Sequence, residues 1–229
     1  MDLDDWLIVD DAYAGQMAVR EQLLRQNRDL VCALSDQARP AAEELLERVV
    51  ASLRASDGFV VKSGVVTCPD RRVVALNRGD PLVTIAKLIQ EDVCLLQRKE
   101  DQHVLTGAVL CFPASWKLSE KIGRPLDGIH APVDSYDANV ARRVQRLFDG
   151  VRAECPLWRK NVLWYDDPAL FQPRSQSESR QPVGSGDAPY LRSERQSILR
   201  LPQTDAVVFS IHTFVLARAD AEAAFGPIA

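Results

Sequence analysis

Short apolar runs are the feature that most constrains the fold of this chain. None approaches the roughly 20 residues that a membrane-spanning helix needs, so we expect no transmembrane helix. Two of the runs, 103–112 and 206–215, instead have the length and the flanking turn residues of buried strands. Pro113 follows the first run, and proline lacks the N–H that a strand inside a sheet must donate.

Helical periodicity dominates the first two-thirds of the sequence. Apolar residues recur at helical spacing in 10–28, in the segment after Pro40 and again after Asp80-Pro81, which can cap and open a helix. A further helix, capped by Asp134 or Ser135, is predicted before residue 150. With more strands predicted at 59–67, 73–76 and 161–165, we expect an α+β fold, an antiparallel sheet of about five strands with flanking helices.

The charge balance excludes some classes of protein. Lys and Arg number 28 against 32 Asp and Glu, a net charge of −4, so the chain is not built to neutralise nucleic-acid phosphates or to lie on an anionic membrane. Five scattered cysteines form no C-x-x-C pair, so no zinc or iron–sulfur site is expected in the chain. The acidic start, MDLDD, lacks the basic and apolar pattern of a signal peptide, which favours a cytoplasmic protein.

The length predicts a single domain over residues 1–229. Within it, residues 167–189 are rich in Pro, Ser, Gln and Gly, a composition typical of a long mobile loop.

Asp92 lies on a predicted apolar helix face. If the helix that begins at Pro81 continues to Leu96, Asp92 shares its stripe with Ile85 and Ile89. A carboxylate among apolar residues is costly unless it is paired or hydrogen-bonded. Two interpretations remain open: the carboxylate anchors a loop or an arginine, or it faces a cavity that binds a ligand.

His130 lies in a segment, 122–133, that two glycines and two prolines predict to be irregular. A fixed backbone there leaves the imidazole free to reach a ligand, although a loop histidine that hydrogen-bonds the backbone is an equally good interpretation. Lys121 and Arg124 lie just upstream, and such cations suit carboxylates or propionates. Against these, His103 and His212 are expected to be ordinary strand or core histidines.

Segment 191–196, LRSERQ, packs Arg192, Glu194 and Arg195 just before an apolar run. An exposed charged helix face and a buried ion-pair network are both compatible with this pattern.

These segments belong to an ordered set of strings that resembles the haem-dependent oxidative N-demethylase family, whose catalytic subunit is similar to dimethylamine monooxygenase. Together with residues 6–24 they span nearly the whole chain, and an ordered set is far more specific than any one motif. The strings are QEDVCLL from residue 90, VLCFPASW from 109, EKIGRPL from 120, IHAPV from 129, LRSERQ from 191 and LP at 201.

The resemblance implies a variant of the PAS sensor fold that holds haem b. It also implies a monooxygenase that uses O₂ to oxidise a small methylated amine and releases formaldehyde. Electrons would come from NADPH through a flavin and an iron–sulfur cluster on a partner reductase protein or subunit. His130 would be the axial iron ligand, and Arg124 and Lys121 would contact the haem propionates. Asp92 or Glu194 would hold the cationic amine.

The chain departs from the family pattern in three places. It begins close to the first string, so an initial strand of the family pattern is expected to be missing. Arg159-Lys160-Asn161-Val162 stands where members tend to have Arg-x-Asn-Trp, and His212 stands where an arginine is usual. The last two departures leave the identity of the amine open and make His212 a rival of His130 as ligand. Alternative functions are a haem- or ligand-binding PAS-like sensor without turnover, or a haem-free structural member of a complex.

Overall fold

The computed structural model describes residues 5–130, 137–175, 178 and 187–226 of the chain. Within these ranges it contains seven α-helices, which are α1 Tyr13–Gln26, α2 Arg28–Val31, α3 Arg39–Ala55, α4 Pro81–Leu88, α5 Leu126–His130, α6 Ala138–Gly150 and α7 Arg218–Phe225. The strands are β1 Cys32–Leu34, β2 Val60–Lys62, β3 Val65–Thr67, β4 Val73–Ala75, β5 Asp92–Lys99, β6 Gln102–Val109, β7 Leu157–Tyr165, β8 Tyr190–Arg200 and β9 Val207–Ala217. In the same ranges, no helix is both long enough and apolar enough to cross a bilayer.

Six of the strands form one antiparallel sheet in the order β1-β6-β5-β9-β8-β7, and β2-β3-β4 form a small second sheet. The predicted α+β class with an antiparallel sheet is therefore confirmed, although the described residues hold nine strands rather than five. One reason is the predicted strand 59–67, which is a hairpin of β2 and β3. Gly64 turns the chain between them with a φ of +78°, which favours glycine.

Side chains alternate along each strand, so the large sheet has two distinct faces. The α1 face, with Val93, Leu95 and Val208, packs into the larger core beneath α1, α3 and α4. The α6 face carries Leu96 and Ile198, among others, and packs against a smaller core that includes Leu126 of α5 and Phe148 of α6. His130, the last residue of α5, therefore lies on the same side of the sheet as the α6 face.

The boundary between α4 and β5 differs from the prediction. The helix ends at Leu88, and the chain is extended again from Asp92, which begins β5. Strand β5 lies in the middle of the sheet and is buried on both faces from Asp92 to Leu96. A strand that is buried on both faces has apolar side chains in succession rather than alternating with polar ones. The apolar residues of β5 therefore matched the helical spacing of α4 by coincidence.

Two other local predictions need correction. Segment 122–133 is not irregular throughout, because residues Leu126–His130 form α5 directly after Pro125, which suits a helix start. Helix α6 begins after Asp137, whose carboxylate accepts hydrogen bonds from the amides of Asn139 and Val140, each at 2.8 Å. The predicted caps Asp134 and Ser135 lie outside the described residues, as does most of the predicted loop after residue 175.

Candidate functional site

His130, the last residue of α5, is half-buried on the α6 side of the sheet. Its Nδ1 lies 2.7 Å from the carbonyl oxygen of Leu126. Because a carbonyl only accepts, Nδ1 carries the hydrogen, and the neutral ring has its lone pair on Nε2. Burial lowers the pKa of His130; the Leu126 hydrogen bond opposes this, and the charges of Lys121 and Arg159 lower the pKa further. The ring is therefore neutral near pH 7, as a metal-binding imidazole must be.

The two cations upstream of His130 differ in their surroundings. Lys121 is buried, and its Nζ donates to the carbonyl of Ile129 at 2.5 Å, next to the histidine. The side chain of Arg124 is exposed, while its backbone carbonyl accepts from the amide of Leu105 in β6 at 3.0 Å. Lys121 thus holds the end of α5 in place, and Arg124 leaves a guanidinium at the surface beside it.

A row of polar side chains, the polar ladder, lies on the α6 face of β7 and β8. It consists of Arg159, Gln196, Glu194 and Arg192. Arg159 Nε donates to Gln196 Oε1 at 2.8 Å, Gln196 Nε2 donates to Glu194 Oε2 at 3.0 Å, and Arg192 Nε donates to Glu194 Oε1 at 3.3 Å. The three β8 residues are buried. Segment 191–196 is therefore part of a strand with a buried ion-pair network. The alternative prediction, an exposed charged helix face, was wrong.

Asp92 anchors both an arginine and a loop, as the first interpretation of this residue predicted. Its Oδ1 accepts from Arg20 at 2.7 Å and from the amide of Cys111 at 2.8 Å, and its Oδ2 accepts from the amide of Phe112 at 2.7 Å. The carbonyl of Phe112 in turn accepts from Arg192 at 2.6 Å. Asp92 is thus joined to the polar ladder through the backbone of one residue, Phe112.

The predicted site residues therefore fall into two groups. His130, Lys121 and Arg124 come from one segment over the α6 face, where Glu194 lies within the polar ladder. Arg159 connects them, since it belongs to the ladder and its charge acts on His130. Asp92 stands apart, because three donors already occupy its carboxylate.

His212, the rival ligand, lies on the α1 face between two carboxylates. Its Nδ1 is 2.9 Å from Glu91 Oε1, and its Nε2 is 3.2 Å from Asp10 Oδ2. Burial alone would lower the pKa of His212, but the hydrogen bonds and charges of these carboxylates outweigh it and raise the pKa to about 9. A protonated imidazole has no lone pair for iron. The geometry therefore favours His130.

His103, in β6, is also engaged by the chain itself. Gln145 Nε2 lies 2.9 Å from its Nδ1, and the ring is buried beside that of Phe148. Burial lowers the pKa of His103.

Sequence reasoning missed Arg20, Arg159 and Gln196. Arg20 had a usable signal: it lies three residues after Met17 and four before Leu24, on the apolar stripe of α1, and it is fully buried. A cation on an apolar stripe is the counterpart of the carboxylate at Asp92. Arg159 and Gln196 gave no such signal, since only strand register places them opposite each other.

A separate cavity of about 230 Å³ lies between β1 and the start of α4. Its lining includes Arg28 and Asp80, which pair at 2.8 Å, but not His130. This cavity therefore does not belong to the candidate site.

A family model described as "Haem-dependent oxidative N-demethylase, alpha subunit-like" matches residues 1–224. The match covers nearly the whole chain, and the chain belongs to this family. The description names haem as the cofactor, oxidative N-demethylation as the reaction class and an alpha subunit as the type of chain. The family resemblance drawn from the sequence strings is therefore confirmed.

The residues around His130 fit a haem. A histidine that donates its Nδ1 hydrogen to a carbonyl and keeps its lone pair on Nε2 has the hydrogen-bonding arrangement typical of metal-binding histidines. Lys121, Arg124 and Arg159 bring positive charge that suits propionate groups. Ile129 and Val144 pack on the α6-face core but are only partly buried, so apolar surface remains exposed on these two side chains.

Proposed function

We propose that this chain catalyses the haem-dependent oxidative N-demethylation of a small methylated amine, using O₂ and externally supplied electrons, and releases formaldehyde. The observation that carries the proposal is the state of His130: neutral, with Nδ1 held by the Leu126 carbonyl. The family match supports the cofactor and the reaction class.

Haem b, when bound, supplies the iron chemistry that activates O₂ and oxidises the methyl group. The chain positions the cofactor. His130 would hold the iron through Nε2, and its hydrogen bond to Leu126 would fix the ring plane and increase the basicity of Nε2. Lys121 and Arg124 are the cations nearest to His130 in sequence, and they would provide positive charge for the propionates. Arg159 of β7 would add to this charge.

Glu194 is the better of the two carboxylates to hold a cationic amine. Arg192 and Gln196 each occupy one of its oxygens, whereas a carboxylate offers about four acceptor sites. An ammonium can therefore add a charge-assisted hydrogen bond, which would direct its methyl group toward the iron. Asp92 acts indirectly, since it accepts from the amide of Phe112, and the carbonyl of the same residue positions Arg192.

Electrons come, on this proposal, from NADPH through a flavin and an iron–sulfur cluster carried by a partner reductase protein or subunit. The alpha-subunit description of the family supports the presence of a partner.

The test is haem reconstitution followed by turnover. Wild type and His103→Ala should give the same Soret band, and His130→Ala should lose it. With a reductase, NADPH and dimethylamine or trimethylamine, the wild type should then release formaldehyde. A wild-type protein that takes up no haem would overturn the proposal, and haem uptake without turnover would make the chain a sensor.

A further inference from the structure

Strand β7 forms one edge of the six-stranded sheet, and its outer side pairs with no other strand in the described part of the chain. Four of its nine residues are large apolar side chains that are 39–51% exposed: Leu157, Trp158, Val162 and Leu163. A long edge strand with exposed apolar side chains is a template for pairing, and proteins normally cover or blunt such edges. This edge therefore fits an interface.

Charge is distributed unevenly along the same segment. Arg159 and Lys160 lie in the first half of β7, and Asp166 and Asp167 follow directly after its end. Lys160 and Asp166 are exposed, and neither forms an ion pair with any of the described residues. Lys160 lies opposite Arg195 of β8, whose guanidinium pairs with Asp5 at 3.2 Å, so the cation of Lys160 is the one of the two without an ion pair among the described residues.

We propose that β7 pairs antiparallel with β7 of a second copy of this chain, about a two-fold axis at Leu163. The two six-stranded sheets then form one continuous sheet. This register places Lys160 opposite Asp166 of the second copy and Arg159 opposite its Asp167. Between these ion pairs, Val162 lies opposite Trp164 of the second copy, and the two Leu163 side chains meet at the axis.

The order of charges along β7 is the reason to propose a second copy of this chain as the partner of the edge. In a two-fold interface, residue i contacts residue j and j contacts i, so the surface must complement itself when reversed. Cations at the start of a strand and acids after its end satisfy that condition, because antiparallel pairing brings opposite ends together. Within the strand, residues opposite each other also keep to the same face, since Val162 and Trp164 are both even-numbered.

The experiment measures the mass of the full-length chain by sedimentation velocity over a concentration series from about 1 to about 300 µM, the range in which interfaces of modest area form. The wild type should approach twice 25.5 kDa. Lys160→Glu and Asp166→Lys each place like charges opposite one another and should raise the dimer Kd at least about tenfold. The double variant Lys160→Glu/Asp166→Lys exchanges the two charges and should restore the wild-type Kd.

Lys62→Glu is the matched control, because Lys62 is an exposed cation of the small sheet. It should leave the dimer unchanged, and circular dichroism should show that all variants are folded. A wild type that stays monomeric over the whole series overturns the proposal. Single variants that dimerise like the wild type, or a double variant that stays dissociated, overturn the register and the proposal with it.

Discussion

The two faces of the sheet both bury charge, but they use it differently. On the α1 face, His212 lies between two carboxylates, and at the start of β5 Asp92 is surrounded by donors from its own chain. On the α6 face, His130 is neutral, Glu194 has acceptor sites beyond those its neighbours occupy, and the apolar side chains of Ile129 and Val144 are only partly buried. Buried charge alone therefore does not mark a site. Acceptor sites that remain on a carboxylate mark a site only together with incomplete burial of the apolar side chains beside it.

The largest expected effect is on the buried ion pair of Asp92 and Arg20. Asp92→Ala leaves Arg20 buried without its carboxylate and removes the acceptor of two amides, so the free energy of unfolding should fall by about 3–5 kcal/mol. Urea unfolding measures this. The control is Asp80→Ala, which removes a partly exposed ion pair with Arg28 and should cost about 0–1 kcal/mol. Equal losses of unfolding free energy in the two variants would mean that the fold does not depend on the buried Asp92 anchor.

The second effect depends on pH. Because the folded pKa of His212 is raised to about 9 from an ordinary 6.5, protonated His212 stabilises the fold fully below pH 6.5. This contribution should be lost as pH rises through about 9, by roughly 2–3 kcal/mol. Urea unfolding of wild type and His212→Gln at pH 6 and pH 9.5 measures it. The two proteins should differ more at the lower pH, and an equal difference at both would contradict a charged His212.

The third effect is on substrate binding at the α6 face. Glu194→Gln keeps the shape of the side chain but removes its charge, so the affinity for dimethylammonium should fall about tenfold to a hundredfold. Difference spectroscopy of the haem-loaded protein measures this Kd. As a comparison, Glu100→Gln removes an exposed carboxylate at the end of β5 and should leave the Kd unchanged. A Glu194→Gln variant that binds the amine like the wild type would assign the amine to another group.

The smallest expected effect is on the pKa of His130. The charge of Arg159 lowers the pKa of His130, so Arg159→Gln should raise that pKa. Arg124→Gln, a change in the same segment as the histidine, should not shift it, because Arg124 is not among the groups that act on the ring. Proton NMR titration of the haem-free protein measures both. If both variants shift the pKa of His130 equally, the charge of Arg159 has no specific effect on the ring, and Arg159 does not belong to the site.

What the sequence could predict depended on how local the signal was. The helix starts at Pro40 and Pro81 use adjacent residues, and both helices form there. The cost of a carboxylate at Asp92 was also visible, but its partner Arg20 lies 72 residues away, and only the packing of α1 against β5 joins them. The sequence strings placed His130 in the site segment.

Other features could not be predicted without knowing the strand register. The charges of Arg192 and Glu194 were compatible with a helix or a buried network until β8 was paired on both sides. The pKa directions of His130 and His212 likewise depend on groups brought together by the sheet, since Arg159 and Glu91 are distant in sequence from the histidines on which they act.

The central claim is that His130 binds the haem iron through Nε2. The most direct measurement is the absorbance spectrum of His130→Gly reconstituted with haem, with and without imidazole in solution. The spectrum should lose the wild-type Soret band and regain it when imidazole occupies the position of the missing ring, whereas His212→Gly should keep the wild-type band without imidazole. A His130→Gly protein whose spectrum matches the wild type, with no response to imidazole, would contradict the claim.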